Sequence, residues 1–282
     1  MNSGKFSKLT ESAALVDSWL EELPLRGAGD FSQSLKYAYS TPGKRFRPVA
    51  TLLSAELLGI KSNKIKQLAL AIELLHCSSL VHDDLPALDN DSLRRGRETV
   101  HVKFGEATAI LAGDALISDT FGLLAGAEVP YSLISSFSDT FRLLCEGQVL
   151  DLDITIDSWE RVQDRHQKKT GAMIELALSA PAYLLESGLE KVLQLKSVGR
   201  KLGVMFQLVD DIRDVTKSAE VLGKTSDLDR QLGRVTAISF LGLDGATALL
   251  KEMEQEIRVE LADSKLLELE ILVDYLLARL EE

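Results

Sequence analysis

The sequence is poor in the residues that define several classes of protein. Its 282 residues include two cysteines, six prolines and 6% aromatic residues. The cysteines, Cys77 and Cys145, each lie inside an apolar helical stretch, which argues against a disulfide framework or a cysteine-based metal site. We therefore expect both to be core residues of a protein in a reducing compartment.

An excess of basic charge and a long uninterrupted apolar run are also missing. The chain has 32 basic and 43 acidic residues, a formal charge of -11, which argues against nucleic acid or an anionic membrane surface as the main partner. Residues 1–23 contain four acidic residues and no apolar signal core, and no uninterrupted apolar stretch elsewhere is long enough to span a bilayer. We expect a cytoplasmic protein without integral membrane association.

What is present is helical periodicity. Apolar residues recur at helical spacing in most segments, as in Leu68, Ala71, Ile72 and Leu75, whereas alternating strand patterns bounded by hairpin turns are missing. No linker or change of composition divides the chain, so we expect one domain, residues 1–282. Segments that favour turns, such as Leu243-Asp244-Gly245, interrupt this periodicity. They leave helices of about 15 to 25 residues, which predicts an all-α layered bundle around a channel or core.

Two aspartate clusters stand out because each ends an apolar helical stretch. The first runs from Asp83 to Asp89 and the second from Asp210 to Asp214. Adjacent carboxylates repel one another, so each cluster requires either full solvation or a bound cation. Hard oxygen ligands favour Mg²⁺, which is usually held by one or two carboxylates together with substrate phosphate oxygens. The clusters therefore suggest a diphosphate held between two helices.

The two clusters differ in spacing. Asp210 and Asp214 share one face of a continuous helix, with Asp211 on the flank. Asp83 and Asp89 are separated by Pro86 and do not align on a regular helix, so the first cluster requires a helix end or a local bulge.

Basic residues cluster locally, against the overall negative charge. They lie at residues 44–47, 94–97 and 168–169. Such clusters are what the anionic groups of a small ligand require. Solvated helix ends are the alternative for any single cluster, but three clusters beside carboxylate motifs favour a ligand.

Taken together, the motifs from Gly43 to about Thr236 resemble those of the trans-type isoprenyl diphosphate synthases, the polyprenyl synthetase family. The first aspartate motif has the form with two extra residues that is typical of bacterial and plant short-chain enzymes. Other motifs match in type and order, namely Gly43 to Pro48, Arg94-Arg95-Gly96, Gly147-Gln148, Lys169-Thr170, Phe206-Gln207 and Gly223-Lys224. The resemblance implies the all-helical isoprenoid synthase fold and a homodimer.

The resemblance also implies substrates, a cofactor and residue roles. The substrates are isopentenyl diphosphate and an allylic diphosphate, and the cofactor is Mg²⁺, with the ligand set Asp83, Asp84, Asp89, Asp210, Asp211 and Asp214. The allylic diphosphate is assigned to Arg94, Lys169, Gln207 and Lys224, and isopentenyl diphosphate to Lys44, Arg47, His76 and Arg95. Lys169, Thr170 and Gln207 are assigned to catalysis, because their charge and dipoles stabilise the allylic cation and the departing diphosphate.

Two of these assignments have alternatives. His76 lies on nearly the same helix face as Asp83, yet a lone histidine on an apolar helix is more often a core residue. Arg234 stands where the family often has lysine, which keeps the charge for a diphosphate contact but changes its geometry. Asp114, in an otherwise apolar helix, is expected to be a buried partner of the arginine loop.

In this family, the residues just before the first aspartate motif control product length. Here they are Ser78 and Ser79. Ser79 lies about 6 Å, one helical turn, below Asp83, where an aromatic side chain would close the channel floor. Leu75 lies a further turn along and Phe121 is a candidate plug. The serines favour geranylgeranyl diphosphate as the product, with farnesyl diphosphate as the alternative.

Three other functions fit parts of the pattern. A terpene cyclase ionises the same substrate but has neither a second cluster of this type nor a use for the basic site around Lys44. A non-catalytic partner subunit of a synthase would have lost carboxylates, and none is lost here. The third is a helical interaction protein whose acidic clusters are solvated helix ends.

Overall fold

Helices form along nearly all of the described chain, as the apolar periodicity predicts. The structure is a computed structural model that describes residues 4–186, 188–216 and 235–281. Residue contacts divide the chain into two units, Met1–Ser135 and Ser136–Glu282, and each is described by itself. The prediction of an all-α chain is confirmed, while that of a single domain stays a prediction.

The first unit contains six helices and a short hairpin among its described residues. They are α1 (Ser7–Glu21), α2 (Gly29–Tyr39), α3 (Phe46–Leu57), α4 (Lys64–Asp83), β1 (Leu93–Arg94), β2 (Arg97–Glu98), α5 (Val100–Phe104) and α6 (Glu106–Gly126). The division between the units falls within α7 (Tyr131–Asp151).

The described part of the second unit is built from α-helices joined by short turns of other helix types. They are α8 (Trp159–His166), a π-turn (Gln167–Gly171), α9 (Ala172–Ser179), a 3₁₀ turn (Ala180–Leu184), α10 (Leu189–Thr216), α11 (Ala237–Asp263), a second 3₁₀ turn (Leu267–Leu269) and α12 (Glu270–Ala278). Helix α11 is interrupted at Gly242, whose φ of 66° is not helical. The sequence places this break within three residues, at Leu243-Asp244-Gly245.

Helix α4 is the centre of the first unit. Its residues from Leu68 to Leu75 are buried on every face, as expected of a helix that is apolar all round. It packs against α6 and α3. The exception is Glu73, a carboxylate that is also buried and that requires a partner.

Arg45 provides that partner and joins four helices. Its Nη1 donates to Glu73 Oε1 at 2.5 Å and its Nε donates to Asp17 Oδ1 at 2.7 Å. Its Nη2 donates to the carbonyl oxygens of Tyr39 and Thr41, both at 3.1 Å. Through these contacts the arginine stabilises the first unit from inside. Its backbone at the start of α3 is left-handed, with φ of 48°, which is uncommon for a residue other than glycine.

In the second unit, α10 packs closely against the π-turn and α9. A side-chain carbon at Gly203 would collide with the backbone of Gly171, and one at Gly199 would collide with the backbone of Glu175. These two glycines, one turn apart on α10, allow the backbones to approach closely. The same approach brings the π-turn beside the second aspartate cluster.

Three sequence expectations about the fold need correction or a limit. Cys77 is buried as expected, but Cys145 is exposed, because it lies on an outer face of α7. The hairpin of β1 and β2 was not expected, because strands of two residues show no alternation. Among the described helices, α6 alone is long and apolar enough to cross a membrane by length and composition, a test that core helices also pass. Its apolar sequence contains two carboxylates, Asp114 and Asp119.

Replacing Arg45 by methionine tests the role of this arginine. Arg45→Met leaves Glu73 buried without its cation, so we expect the free energy of unfolding in urea to fall by about 3–5 kcal/mol. Lys8→Met is the matched control, because Lys8 pairs with Glu56 on the surface, and should cost less than about 1 kcal/mol. Equal effects of the two substitutions would contradict the role of Arg45.

Candidate active site

The first aspartate cluster forms at the end of α4. The helix ends at Asp83, and the chain turns back so that the backbone N–H of Asp89 donates to the carbonyl of Asp83 at 2.9 Å. The N–H of Asn90 donates to the carbonyl of Leu85 at 3.1 Å. The turn brings the backbones of Asp83 and Asp89 together, although they are six residues apart. The predicted helix end is confirmed.

Asp84 is held by the arginine loop. Its carboxylate is 3% exposed, and Arg94 Nε donates to its Oδ1 at 2.6 Å, with a second contact from Arg94 Nη2. Burial raises the pKa of Asp84, and the hydrogen bond from Arg94 opposes this. Asp91 Oδ2 also lies 3.4 Å from Arg94 Nη2. In this conformation, Arg94 is thus joined to carboxylates of the first unit.

The hairpin of β1 and β2 presents the paired arginines. Arg95 and Gly96 form its turn with φ of 54° and 75°, the positive values that the tight hairpin turn requires. Tyr37 holds the hairpin against α2. Its hydroxyl donates to the carbonyl of Glu98 at 2.9 Å, and the Arg97 guanidinium lies 4.1 Å from its ring centroid.

Arg47, His76 and Arg95 come together in the first unit, as the sequence predicts. Arg47 Nη1 lies 3.3 Å from His76 Nε2. Burial, together with Arg47 and Arg95, holds the pKa of His76 well below 6.5. The ring is therefore neutral at pH 7 and can accept from Arg47. Lys44 is exposed two residues before α3.

Glycine at position 43 leaves room for the side chain of Arg95. A side-chain carbon there would collide with the guanidinium of Arg95, whose Nη1 donates to the carbonyl of Pro42 at 3.0 Å. Burial lowers the pKa of Arg95. The motif from Gly43 to Pro48 thus provides the cations Lys44 and Arg47 and the space for Arg95.

The second aspartate cluster lies on the uninterrupted last turns of α10, as predicted. Asp210 Oδ1 accepts from Arg279 Nη2 at 2.5 Å. The buried Asp211 accepts from Gln207 Nε2 at 3.2 Å and from the backbone N–H of Ala237 at 2.8 Å. Its carboxylate thus lies at the amino terminus of α11, where a helix favours negative charge. Asp214 is half-buried one turn beyond Asp210.

The π-turn positions the residues assigned to catalysis. Thr170 Oγ1 donates to Gln207 Oε1 at 3.2 Å, and Lys169 Nζ donates to Asp151 Oδ2 at 2.5 Å. Single π-turns inside helices are frequent at functional sites. Lys169, Thr170 and Gln207 are therefore adjacent to one another and to Asp211.

A polar cavity of about 110 Å³ lies beside these residues. Its lining consists of Asp151, Arg165, His166, Lys169, Gln207, Asp211 and Thr236. Sequence reasoning missed Asp151, Arg165 and His166. The signal that could have identified Arg165 and His166 is their position one helical turn before Lys169. For Asp151 it is the position at the end of the helix that contains Gly147-Gln148.

His166 is a buried titratable group of this cavity. Burial, with a contribution from Arg165, lowers the pKa of His166 to about 3. Neither ring nitrogen has a hydrogen-bond partner among the described residues, and Asp211 Oδ2 lies 3.7 Å from Nε2. The ring is therefore neutral across the physiological range.

Within the described ranges, no three His, Cys, Asp or Glu side chains are arranged to hold a metal ion. Asp83 and Asp89 nevertheless lie together, as do Asp210 and Asp214. Mg²⁺ typically keeps several waters and takes one or two carboxylates plus phosphate oxygens. The donor atoms therefore fit a Mg²⁺ ion that binds together with a diphosphate. Lys224 and Arg234 lie outside the described residues.

The residues assigned to product length lie on α4 and α6. Leu75 and Ser78 are buried, while Ser79 and Phe121 are half-buried. The hydroxyls of Ser78 and Ser79 donate to carbonyls of their own helix, at 2.7 Å and 2.9 Å. The hydroxyls of both serines are thus satisfied within the helix, and the two side chains are much smaller than an aromatic one.

The expectation for Asp114 is wrong. Its side chain is 61% exposed, and its Oδ1 lies 3.7 Å from Nε2 of His82. His82 contacts α6 at the carbonyl of Ile110, 3.1 Å from its Nε2. The arginine loop takes Asp84 as its buried partner instead.

Comparison with known proteins agrees with this geometry. Residues 29–269 match the model of the polyprenyl synthetase family. The farnesyl diphosphate synthase of Escherichia coli is 37% identical over 267 residues, 88% of each chain. Geranylgeranyl pyrophosphate synthase 10 of Arabidopsis thaliana is 36% identical over 296 residues, 97% of this chain and 85% of that protein.

Solved structures of this type superpose over nearly the whole chain. The geranyltransferase of Helicobacter pylori, complexed with magnesium and isoprenyl diphosphate, has a TM-score of 0.80 and 29% identity and covers 99% of this chain and 98% of its own. The geranylgeranyl pyrophosphate synthetase of the archaeon Geoglobus acetivorans has a TM-score of 0.83 and 28% identity, with full coverage of both chains. These likenesses define an all-helical isoprenoid synthase fold. The chain belongs to the polyprenyl synthetase family, and within it to the short-chain trans-isoprenyl diphosphate synthases.

The low pKa of His166 predicts a pH dependence of stability. Below about pH 6.5 the unfolded chain protonates this histidine, whereas the folded chain does not until the pH approaches 3. Its contribution to stability is therefore complete above pH 6.5 and is lost as the pH falls, by at most about 1.4 kcal/mol per pH unit.

Urea unfolding at pH 7.5 and pH 5.5 measures this effect. His166→Gln should reduce the loss of stability between the two pH values. The four histidines are few enough to follow by NMR. A His166 ring that titrates near pH 6.5 would contradict the assignment.

Proposed function

We propose that this short-chain prenyltransferase condenses isopentenyl diphosphate with an allylic diphosphate and that its main product is geranylgeranyl diphosphate. The observation that carries the proposal is the basic cluster of Arg47, His76 and Arg95, which differs in kind from the aspartate clusters. The basic cluster can bind one diphosphate directly, and the aspartate clusters can bind a second one through a metal. Two diphosphate sites of different kinds are what a condensation of two diphosphates requires.

The acceptor site is the cluster of the first unit. Two guanidinium groups can bind phosphate oxygens in a bidentate manner, and the neutral His76 orients one of them. Lys44 is exposed two residues before α3 and adds a positive charge. Isopentenyl diphosphate bound here is held through its diphosphate, so that its double bond can be directed at the allylic carbon.

The donor site takes the allylic diphosphate. Mg²⁺ ions held by Asp83 and Asp89 in the first unit, and by Asp210 and Asp214 in the second, would neutralise charge on a diphosphate. Lys169 contributes a further positive charge, so that the bond between C1 and the diphosphate oxygen can break with both electrons going to the diphosphate. The side chains of Thr170 and Gln207 are joined by a hydrogen bond, and their oxygens would direct dipoles at the allylic cation.

The remaining steps need no protein nucleophile. The double bond of isopentenyl diphosphate attacks the allylic cation and forms the new carbon–carbon bond. A proton then leaves to the released diphosphate, and the product is longer by one isoprene unit. The enzyme binds, orients and stabilises charge.

Incubation with labelled isopentenyl diphosphate tests the reaction. Each of three primers, dimethylallyl, geranyl and farnesyl diphosphate, is supplied in turn with Mg²⁺, and the products are sized by chromatography. We expect a twenty-carbon product from all three. A fifteen-carbon limit would favour the farnesyl alternative, cyclic hydrocarbons would indicate a cyclase, and no condensation would indicate a partner subunit or an interaction protein.

The size of the residues before the first cluster should control product length. Ser79→Phe places an aromatic ring one turn below Asp83, so we expect a shorter main product. Ser78→Phe should act in the same way but at a buried position, where it also costs stability. Ser79→Ala is the matched control and should leave product length unchanged. If both phenylalanine variants fold and give an unchanged product, positions 78 and 79 do not form the floor of the channel.

We also propose a cytoplasmic homodimer. The supporting observation is the outer face of α6, where Ile110 is 46% and Leu111 is 57% exposed in an otherwise apolar helix. A second copy of this chain would cover such a face. The soluble character expected from the composition agrees with a cytoplasmic enzyme.

Charge on this face should separate the copies. Leu111→Lys is expected to shift the mass measured by light scattering from dimer to monomer. Leu193→Lys, at a leucine that is 60% exposed on α10, is the control and should leave the mass unchanged. A monomeric wild-type chain, or a dimer that survives Leu111→Lys, would argue against this face.

A further inference from the structure

Arg279 contacts the second aspartate cluster from the end of α12. The residue is 7% exposed, and its Nη2 donates to Asp210 Oδ1 at 2.5 Å. Its guanidinium carbon lies 4.5 Å from the ring centroid of Phe206, one turn before Asp210 on α10. The guanidinium therefore has a defined place, stacked on an aromatic ring and joined to a carboxylate.

The rest of the guanidinium is poorly satisfied. Nε and Nη1 of Arg279 are buried and have no hydrogen-bond partner among the described residues. An arginine that serves only to join helices normally uses its donors, as Arg258 does with Glu254, Glu270 and Asp274. Buried donors without partners are costly, so their retention points to a role in more than one state of the site.

The position of Asp210 indicates that role. Asp210 belongs to a cluster with Asp211 and Asp214, and without a metal their carboxylates repel one another. A fixed positive charge at Asp210 lowers this repulsion. A guanidinium held 2.5 Å from Asp210 Oδ1 opposes the approach of a second cation, Mg²⁺, to the same carboxylate, because like charges repel.

We infer that Arg279 is a positioning residue, an internal counter-cation that holds Asp210 in the metal-free chain and competes with Mg²⁺ for that carboxylate. The inference rests on the proposed function, because it takes Asp210 as a metal ligand. When Mg²⁺ takes Asp210, the donors of Arg279 turn to another anionic oxygen, such as a phosphate oxygen of the substrate.

A static structural role and a competing role predict different responses to Mg²⁺. Arg279→Met keeps much of the length and apolar contact with Phe206 but removes the charge. If Arg279 competes, the variant is less stable than the wild type in EDTA and responds to lower Mg²⁺ concentrations. If Arg279 only joins α12 to α10, the variant loses the same stability in EDTA and in Mg²⁺, and the midpoint of the Mg²⁺ response does not move.

Thermal unfolding of the full chain without substrate measures this midpoint. We expect Arg279→Met to lower the Mg²⁺ concentration of half-maximal stabilisation by about five-fold or more, and Arg279→Lys to lower it by less. Arg258→Met, which removes an arginine from a surface network of the same unit, is the control and should leave the midpoint unchanged. If the methionine variant does not fold, the lysine variant carries the test.

An unchanged or higher midpoint in the folded variants would overturn the inference, and so would a lack of any Mg²⁺ stabilisation in all of them. The proposed function is tested separately by condensation of labelled isopentenyl diphosphate by the wild type. A wild-type chain that fails to condense substrates but shows the shifted midpoint would refute the proposed function and retain the competition at Asp210.

Discussion

Both units depend on one electrostatic constraint, which is that carboxylates gathered at helix ends need positive charge or N–H donors close by. Here the chain supplies these partners itself. Asp84 pairs with Arg94, Asp151 with Lys169, and Asp210 with Arg279. Asp211 is satisfied by Gln207 and by the amino terminus of α11. The polar residues assigned to substrates are thus already organised by ion pairs within the chain, which a bound diphosphate and its metal would have to exchange for new contacts.

The helices, and the end of a helix at the first aspartate cluster, could be predicted from sequence, because helical periodicity and Pro86 act locally. The hairpin of β1 and β2 could not, because it depends on Tyr37 from α2 holding two very short strands. The exposure of Cys145 was missed for a similar reason. An apolar helical stretch shows that a helix forms, but not which of its faces the rest of the chain covers.

The functional residues divide in the same way. Arg47, His76 and Arg95, and likewise Lys169, Thr170 and Gln207, could be named from motifs, and the structure brings each set together. Their partners could not be named. Arg279 is 69 residues from Asp210, and Arg45 reaches Glu73 across 28 residues. No local pattern records such a contact, since it arises only when the helices pack. The low pKa of His166 is likewise mainly a consequence of burial, which the sequence does not show, although its neighbour Arg165 also contributes.

The central claim is that the aspartate clusters bind Mg²⁺ much more tightly together with a diphosphate than by themselves. Isothermal titration of the wild type with Mg²⁺, in the absence and presence of a non-hydrolysable allylic diphosphate, tests it most directly. The account predicts weak binding of Mg²⁺ alone and much tighter binding when the analogue is present, because phosphate oxygens complete the coordination. Equal Mg²⁺ binding with and without the analogue, or no metal-dependent binding of the analogue, would contradict it.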